Sequence, residues 1–357
     1  MYNMVIFPYD ATLKNTLQHI DQKEYRVCGI VSPRGWGYGD TSLLIGDEEI
    51  VIQASLRQVE SAYDCICLVN SRYSLNFTNS IMPIIHECAE KNLDVIVCRD
   101  FTEQELQIIK SYIDKDKLHI LYETYRDIKM ENEIFEIDIP VVLITDIFAE
   151  LNSQDVQLKI YDELKAKGYA VKLVSSKREM RLIRDIDSIP QSVLREYGTN
   201  KEKILRFNHY IKQIEIKENP DLIIIGIPGN LMEISKKVTG DFGSSAYIIS
   251  RGVISDYVVC NFPYFQDFEG RCSELCKCVE NRLETKVDAC NVIPQYLDLM
   301  ESEEYGELEY LGLSAEYVEK KLQKHEKIFF LQDKKEILRI ADEIVKKLEG
   351  YAEIKVM

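Results

Sequence analysis

The chain has 357 residues, more than one hydrophobic core ordinarily serves, and its 46% apolar and 29% charged residues place it among globular rather than disordered sequences. A formal net charge of -16 and a pI near 4.9 oppose phosphate backbones and anionic lipid surfaces, so neither nucleic acid nor a membrane is an expected partner. No window approaches the roughly 18 uninterrupted apolar residues of a bilayer span, and most of the ten cysteines lie in apolar runs as small hydrophobes, which together indicate a cytoplasmic protein.

Residues 4–9, 25–32, 49–52, 64–70, 94–99 and 117–122 read as strands. They show almost no polar alternation, as expected of a parallel sheet covered on both faces. Residues 78–91 form the clearest helix, with Ile81, Ile84, Ile85 and Cys88 at three-to-four spacing and Asn79, Glu87, Glu90 and Lys91 facing away. This alternation of strands and helices describes a Rossmann-like domain over residues 1–136.

The 32–40 loop, SPRGWGYGD, follows the second strand and holds three glycines and the only tryptophan. Ligands of open α/β sheets bind outside the carboxyl ends of strands, which makes Arg34, Gly35, Trp36 and Gly37 candidates for contact with a ligand or partner. The spacing is not a dinucleotide fingerprint, because no helix start follows it. Trp36 calls for a surface to pack on, whether a partner, a ligand or the other domain. Arg34 suits an anionic group or a neighbouring carboxylate equally.

Residues 128–139 are charged, break the earlier rhythm and end at Pro140, as an inter-domain connection does. A second series then gives a strand at 141–145, a helix at 153–167 closed by Gly168, a strand at 170–174, a basic stretch at 177–184 and a helix at 201–217. The buried run 221–229, strands at 246–250 and 257–261, a cysteine-bearing helix at 271–283 and a strand at 286–292 complete this domain over 137–313. A helical appendix, 314–357, carries helices at 314–326 and 333–348 around the apolar 328–331. Tyr317, Val318 and Leu322 of the appendix need cover, from a homodimer or from the chain's own surface.

The order VVLIT, VQLKIYDELKAKGY, AVKLVS is that of a P-loop unit, in which a glycine-rich turn aims backbone N–H groups at phosphates and a Lys reaches the terminal ones. Here the lysine position falls near Ser153, the glycines near Ile147 and Asn152, and the Mg²⁺ hydroxyl near Gln154. No Gly or Lys occurs from Val141 to Leu158. The strand that should end in an acidic residue ends in Gly226 instead, with Asp221 at its wrong end. The expected fold class is therefore α/β, a Rossmann-like parallel sheet domain followed by a degenerate P-loop NTPase-like domain. No cofactor is expected; the rival reading is a nucleotide or acyl donor held by an altered loop. Asp146, Asn152, Ser153, Asp155, Gly229 and Asn230 are the candidate ligand- or partner-binding residues of this half.

Cys272, Cys276 and Cys278 form C-x₃-C-x-C between Cys260 and Cys290. The spacing matches neither structural zinc nor a ferredoxin run, and Cys276 and Cys278 point to different faces of a helix. Buried small hydrophobes are the expectation, with those three as the residues to watch for metal. The five histidines form no pair at i, i+3 or i+4. Asn261, at a strand end, suits either contact with a base or a turn before Phe-Pro.

The opening IFPYD, the SPRGWG loop, the unit ITDIFAELNSQDVQLKIYDELKAKGY and the run DLIIIGIPGNL together resemble a clostridial accessory family of peptide maturation systems, encoded beside radical-SAM maturases and small precursor peptides. The resemblance runs from Met4 to about Leu313. More distantly the plan is similar to two-domain Rossmann plus P-loop proteins, among them enzymes modifying amino-acid amines, whose Gly-Lys pair this chain lacks. The resemblance implies a precursor peptide or a radical-SAM maturase as partner. The expectation is a non-hydrolytic accessory protein that binds through the 32–40 and 147–154 loops; a ligase or acyltransferase is the alternative.

Overall fold

The computed structural model describes residues 1–121, 131–149, 151, 153–183, 186–194, 198–322 and 326–352. The chain divides into two units, one formed by Met1–Thr124 with Lys177–Gln191, the other by Tyr125–Ser176 with Ser192–Met357. Both are α/β, and parallel strands dominate the sheet of each.

In the first unit, β1 (Tyr2–Phe7), α1 (Lys14–Gln18), β2 (Tyr25–Val31), β3 (Ser42–Ile45), β4 (Glu48–Gln53), β5 (Cys65–Leu68), α2 (Met82–Lys91), β6 (Asp94–Val97), α3 (Glu103–Tyr112) and β7 (Leu118–Ile120) succeed one another. The spatial order is β3-β4-β2-β1-β5-β6-β7. Alternate residues of β1 feed two cores: Met4 and Ile6 join Leu13, Leu17 and Ile30, while Val5 and Phe7 join Ile66, Leu68, Ile85 and Ile109. Six strands read from the sequence are present, with ends that coincide or differ by one or two residues; residue 122, the end of the last one read, lies outside the described residues. β3 is an addition. It pairs antiparallel with β4 through the turn at Gly46, whose φ is 59°, and buries Leu43 and Ile45 while Leu44 faces out, as a half-covered edge does. The helix expected at 78–91 begins as a wider π-type turn over Phe77–Ile81 and ends at Asn92 in the left-handed region.

The second unit opens with β8 (Val141–Asp146), α4 (Gln154–Ala166) and β9 (Val171–Ser175). The chain then makes its excursion to the first unit, containing β10 (Ile186–Ser188), and α5 (Gln191–Leu194) leads out of it. Leu182 enters the core around Leu13 and Leu17, its carbonyl accepts from Asp21 N at 3.1 Å, and Met180 Sδ accepts from Thr16 Oγ1 at 3.9 Å. The same turn buries Arg178 and Glu179.

The second unit resumes with α6 (Asn200–Glu218), β11 (Leu222–Gly226), α7 (Ser244–Gly252), β12 (Tyr257–Pro263), α8 (Phe268–Leu283) and β13 (Ala289–Ile293). It ends with β14 (Gln295–Leu297), α9 (Leu299–Tyr305), β15 (Tyr310–Gly312), α10 (Ala315–Lys321), β16 (Ile328–Phe329) and α11 (Lys334–Ala352). Its main sheet runs β9-β11-β8-β12-β13-β16, all parallel; β14 and β15 form a separate antiparallel pair. The strand expected at 246–250 is instead helix α7. Asp241 accepts from Gly243 N and Ser245 N, both at 3.0 Å, and so starts a helix that buries Ala246 and Ile249 and leaves Tyr247 outward. The apolar 328–331 run supplies an edge strand, and α11 buries Ile340, Ala341 and Ile344 beside α4, to which Lys167 Nζ and Asp342 add an ion pair at 2.6 Å. Among the described residues no helix is long and apolar enough to cross a membrane.

The charged segment before β8 is stitched to α6. Asn208, fully buried, accepts from Phe135 N at 2.8 Å and donates to Phe135 O at 2.8 Å and Gly252 O at 2.9 Å; Glu215 accepts from Asp138 N at 3.0 Å. Asn208→Ala strands those backbone groups in the interior, and urea denaturation should show the protein less stable by about 1–3 kcal/mol.

A second prediction concerns Glu179, whose burial raises its pKa above the ordinary 4.5. The folded state therefore favours the neutral acid. Its contribution to stability is complete below the ordinary carboxyl range and is lost as pH rises from there through the raised folded value. Glu179→Gln should raise the melting temperature at neutral pH, with the gain shrinking toward pH 4; a constant or inverted difference across that window would count against this account.

Candidate functional site

Chain direction reverses at β1 in the first sheet: the chain leaves it for β2 on one side, and β5 and β6 follow on the other. The loops after β1 and β5 therefore part company at the carboxyl edge, the place where α/β sheets make crevices. Asp10, buried at the end of β1, accepts from Thr12 N at 2.8 Å and from Arg72 N at 2.6 Å, which links the two loops. Asn70 and Asp100 bond reciprocally at 3.0 and 3.2 Å, Arg99 Nη1 donates to Val69 O at 3.1 Å, and Arg178 pairs with Asp100.

The 32–40 loop stands over this edge. Ser32 Oγ donates to Tyr9 O at 2.9 Å, Tyr38 packs edge-on to Tyr9 at 5.6 Å, and Trp36 lies 4.9 Å from Tyr73, beside which Arg72 sits at 5.8 Å. Trp36 thus packs on a side chain of its own unit, half-buried, an arrangement outside those the sequence suggested. Gly35 and Gly37 adopt φ of 91° and 82°, conformations that L side chains rarely take, and Arg34 is exposed at the tip. The loop offers a cation, an aromatic face and unhindered backbone at one place. Tyr73 and Arg72 carried no motif in the sequence; only the register of β5 beside β1 brings them here.

In the second unit β8 is central, and its following loop takes the P-loop position. Among the described residues of that loop, the backbone groups of Ile147 and Ala149 are already engaged. Ile147 N donates to Asn261 O at 3.0 Å, Ala149 N donates to Asn230 Oδ1 at 3.2 Å, Ile147 O accepts from Leu231 N at 3.1 Å, and Ala149 O accepts from Tyr310 Oη at 2.7 Å. Ile147 and Leu151 are wholly buried where a phosphate cradle would be open. Gly229 lets the loop after β11 run against this backbone, since a Cβ there would come within 2.5 Å of Phe148 O. Asn230, with φ of 68°, turns its side chain into the same contact. A Cβ at Gly226 would meet Gln157 at 2.3 Å, and Gln157 Oε1 accepts from Ser175 Oγ at 3.0 Å.

Asp146, buried at the end of β8, accepts from Asn261 Nδ2 at 2.9 Å; the same amide nitrogen donates to Thr145 O at 3.1 Å. Asn291 Nδ2 donates to Asn261 Oδ1 at 2.8 Å, and Asn291 Oδ1 accepts from Leu331 N at 3.0 Å. Ser153 is buried just before α4, Asp155 pairs with Lys159 at 2.6 Å within the helix, and Asn152 lies outside the described residues. Two buried oxygens here, Thr145 Oγ1 and Gln154 Oε1, have no hydrogen-bond partner among the described residues. Cys272 and Cys276 share one face of α8 and meet Cys290 of β13, while Cys278 is exposed on another face.

No family model and no curated protein sequence matches this chain. Solved structures do. A DUF1611 family protein from Anabaena variabilis superposes with a TM-score of 0.59 at 10% identity, over 85% of this chain and 91% of that one. The cell division protein MinD of Aquifex aeolicus gives 0.33 at 14% identity, over 60% and 97%, and the signal recognition particle receptor FtsY from Elizabethkingia anophelis gives 0.30 at 16%, over 44% and 50%. The first likeness spans most of both chains and concerns the fold alone. That fold is α/β, Rossmann-like and P-loop-like, with a C-terminal helix.

Proposed function

We propose that this chain is a non-hydrolytic accessory protein of a ribosomal peptide maturation system, which binds a precursor peptide or a radical-SAM maturase through the 32–40 loop. The observation that carries the reading is the closed loop after β8: its Ile147 and Ala149 N–H groups, which a phosphate would need, are given to Asn261 and Asn230. Recognition then falls to a surface elsewhere. The Arg34–Trp36 loop, with the Trp36–Tyr73 pair as an aromatic platform, suits an extended peptide carrying an apolar anchor and a carboxylate. The pathway comes from the sequence resemblance. Trp36→Ala should weaken capture of a precursor peptide or maturase of such a system about tenfold or more, roughly 1.4 kcal/mol, with unchanged circular dichroism. Equal capture by both proteins, or capture by neither, would sink the reading.

A second reading, a nucleotide- or acyl-donor-dependent ligase or transferase, is favoured by one observation: the unpartnered Thr145 Oγ1 and Gln154 Oε1 at the mouth of α4, which a donor group could satisfy. Thermal unfolding with ATP, GTP or coenzyme A, each with and without Mg²⁺, separates the two. A ligand at 100 times its Kd stabilises by about 2.7 kcal/mol, a shift plainly visible in melting temperature. The accessory reading expects no shift with any of the three; a Mg²⁺-dependent shift, or one with coenzyme A, would transfer the assignment to the enzyme.

A further inference from the structure

The cysteines of the second unit converge in a way their spacing concealed. Cys272 and Cys276 stand one helical turn apart on α8, so their thiols lie on one face, 3.8 Å apart. Cys290 projects from β13 into the same place, with Sγ 3.0 Å from that of Cys276, and the three sulfurs all lie within 4.8 Å of one another. In register with Cys290 on the neighbouring strand is the fully buried Cys260. Cys272 and Cys290 are buried and Cys276 is half-buried, which leaves an approach from the Cys276 side.

We infer that Cys272, Cys276 and Cys290 form a three-thiolate site for a borderline-to-soft divalent cation of the Zn²⁺ class. Tetrahedral zinc with Zn–S bonds of about 2.3 Å sets its sulfurs about 3.8 Å apart, the separation that Cys272 and Cys276 already have. The Cys276–Cys290 edge is shorter than that and well beyond the roughly 2.05 Å of a disulfide, so a small side-chain rotation opens it to metal-ligand spacing. Thiolate donors select Zn²⁺ and its soft congeners over Mg²⁺ or Ca²⁺, and three ligands leave a fourth position for water or an outside ligand.

A bound cation takes the place of the thiol protons, which leave to solvent as it binds. A paired disulfide would use two of the three sulfurs and leave the convergence of the third without a role.

The test uses the full-length protein, purified under argon with reductant, stripped with chelator and titrated with Zn²⁺, with Co²⁺ as the spectroscopic probe. One equivalent should bind, with release of protons and a thiolate-to-Co²⁺ charge-transfer band. Cys290→Ser and Cys272→Ser should each weaken binding at least tenfold, while Cys278→Ser and the first-unit control Cys88→Ser bind as the parent does. Circular dichroism of each variant separates loss of the site from loss of the fold, and Cys276→Asp, which keeps an anionic donor, should retain partial binding. Far less than one equivalent in the parent, equal binding by Cys290→Ser, or a Cys276–Cys290 disulfide trapped by alkylation at lysis in metal-free protein would each overturn the assignment.

Discussion

One buried side chain, Asn261, joins the ends of the central strands in the second unit. Its amide nitrogen holds the Thr145 carbonyl and the Asp146 carboxylate at the end of β8, its amide oxygen takes a hydrogen bond from Asn291 on β13, and its own carbonyl anchors Ile147. Asn291 passes the connection on to Leu331 beyond β16. Parallel strands covered on both faces leave polar backbone only at their ends, and an unpaired group there costs as much as a lost hydrogen bond. Here a chain of side-chain amides satisfies part of that demand.

The same arrangement explains the residues around it. Gly226 accepts the Gln157 side chain, Gly229 accepts the backbone of Phe148, and Asn230 accepts from Ala149 N, so these three positions help to close the mouth of the sheet. The first unit follows the opposite rule. Its carboxyl edge is tied by Asp10, Asn70, Asp100 and Arg178, but above those ties stand the exposed Arg34 and two glycines in the left-handed region, where an added Cβ would meet nothing within 4 Å. One edge is closed by its own side chains, and the other carries an exposed loop.

Much of this was legible in the sequence because strongly periodic features are local. Continuous apolar runs such as Val141–Ile144 and Ile223–Ile225 announce buried parallel strands, and the missing Gly-Lys pair after β8 is visible without a structure. Where a run is short, neighbouring chemistry decides: Ala246–Ile249 has strand-like composition, yet Asp241, accepting from Gly243 N and Ser245 N, starts a helix there. What could not be read is what parallel register brings together. Asn261 and Asn291 are 30 residues apart, the Trp36–Tyr73 contact crosses between two loops, and Cys290 meets Cys276 only because α8 returns the chain to the strand beside β12. Helix geometry, legible in the C-x₃-C-x-C spacing, turns Cys278 to a different face from Cys276, and it is exposed.

The excursion of Lys177–Gln191 has a consequence for how the molecule is made. Chains generally acquire structure from the amino end as they emerge from the ribosome, one domain at a time. Here the first core needs Leu182 beside Leu13 and Leu17, and Met180 against Thr16, so it stays incomplete until β8, α4 and β9 of its companion have been synthesised. The companion in turn waits for β11, β12 and β13. Birth order and unit membership are interleaved, and neither half can be inherited, duplicated or exchanged by a single cut in the gene.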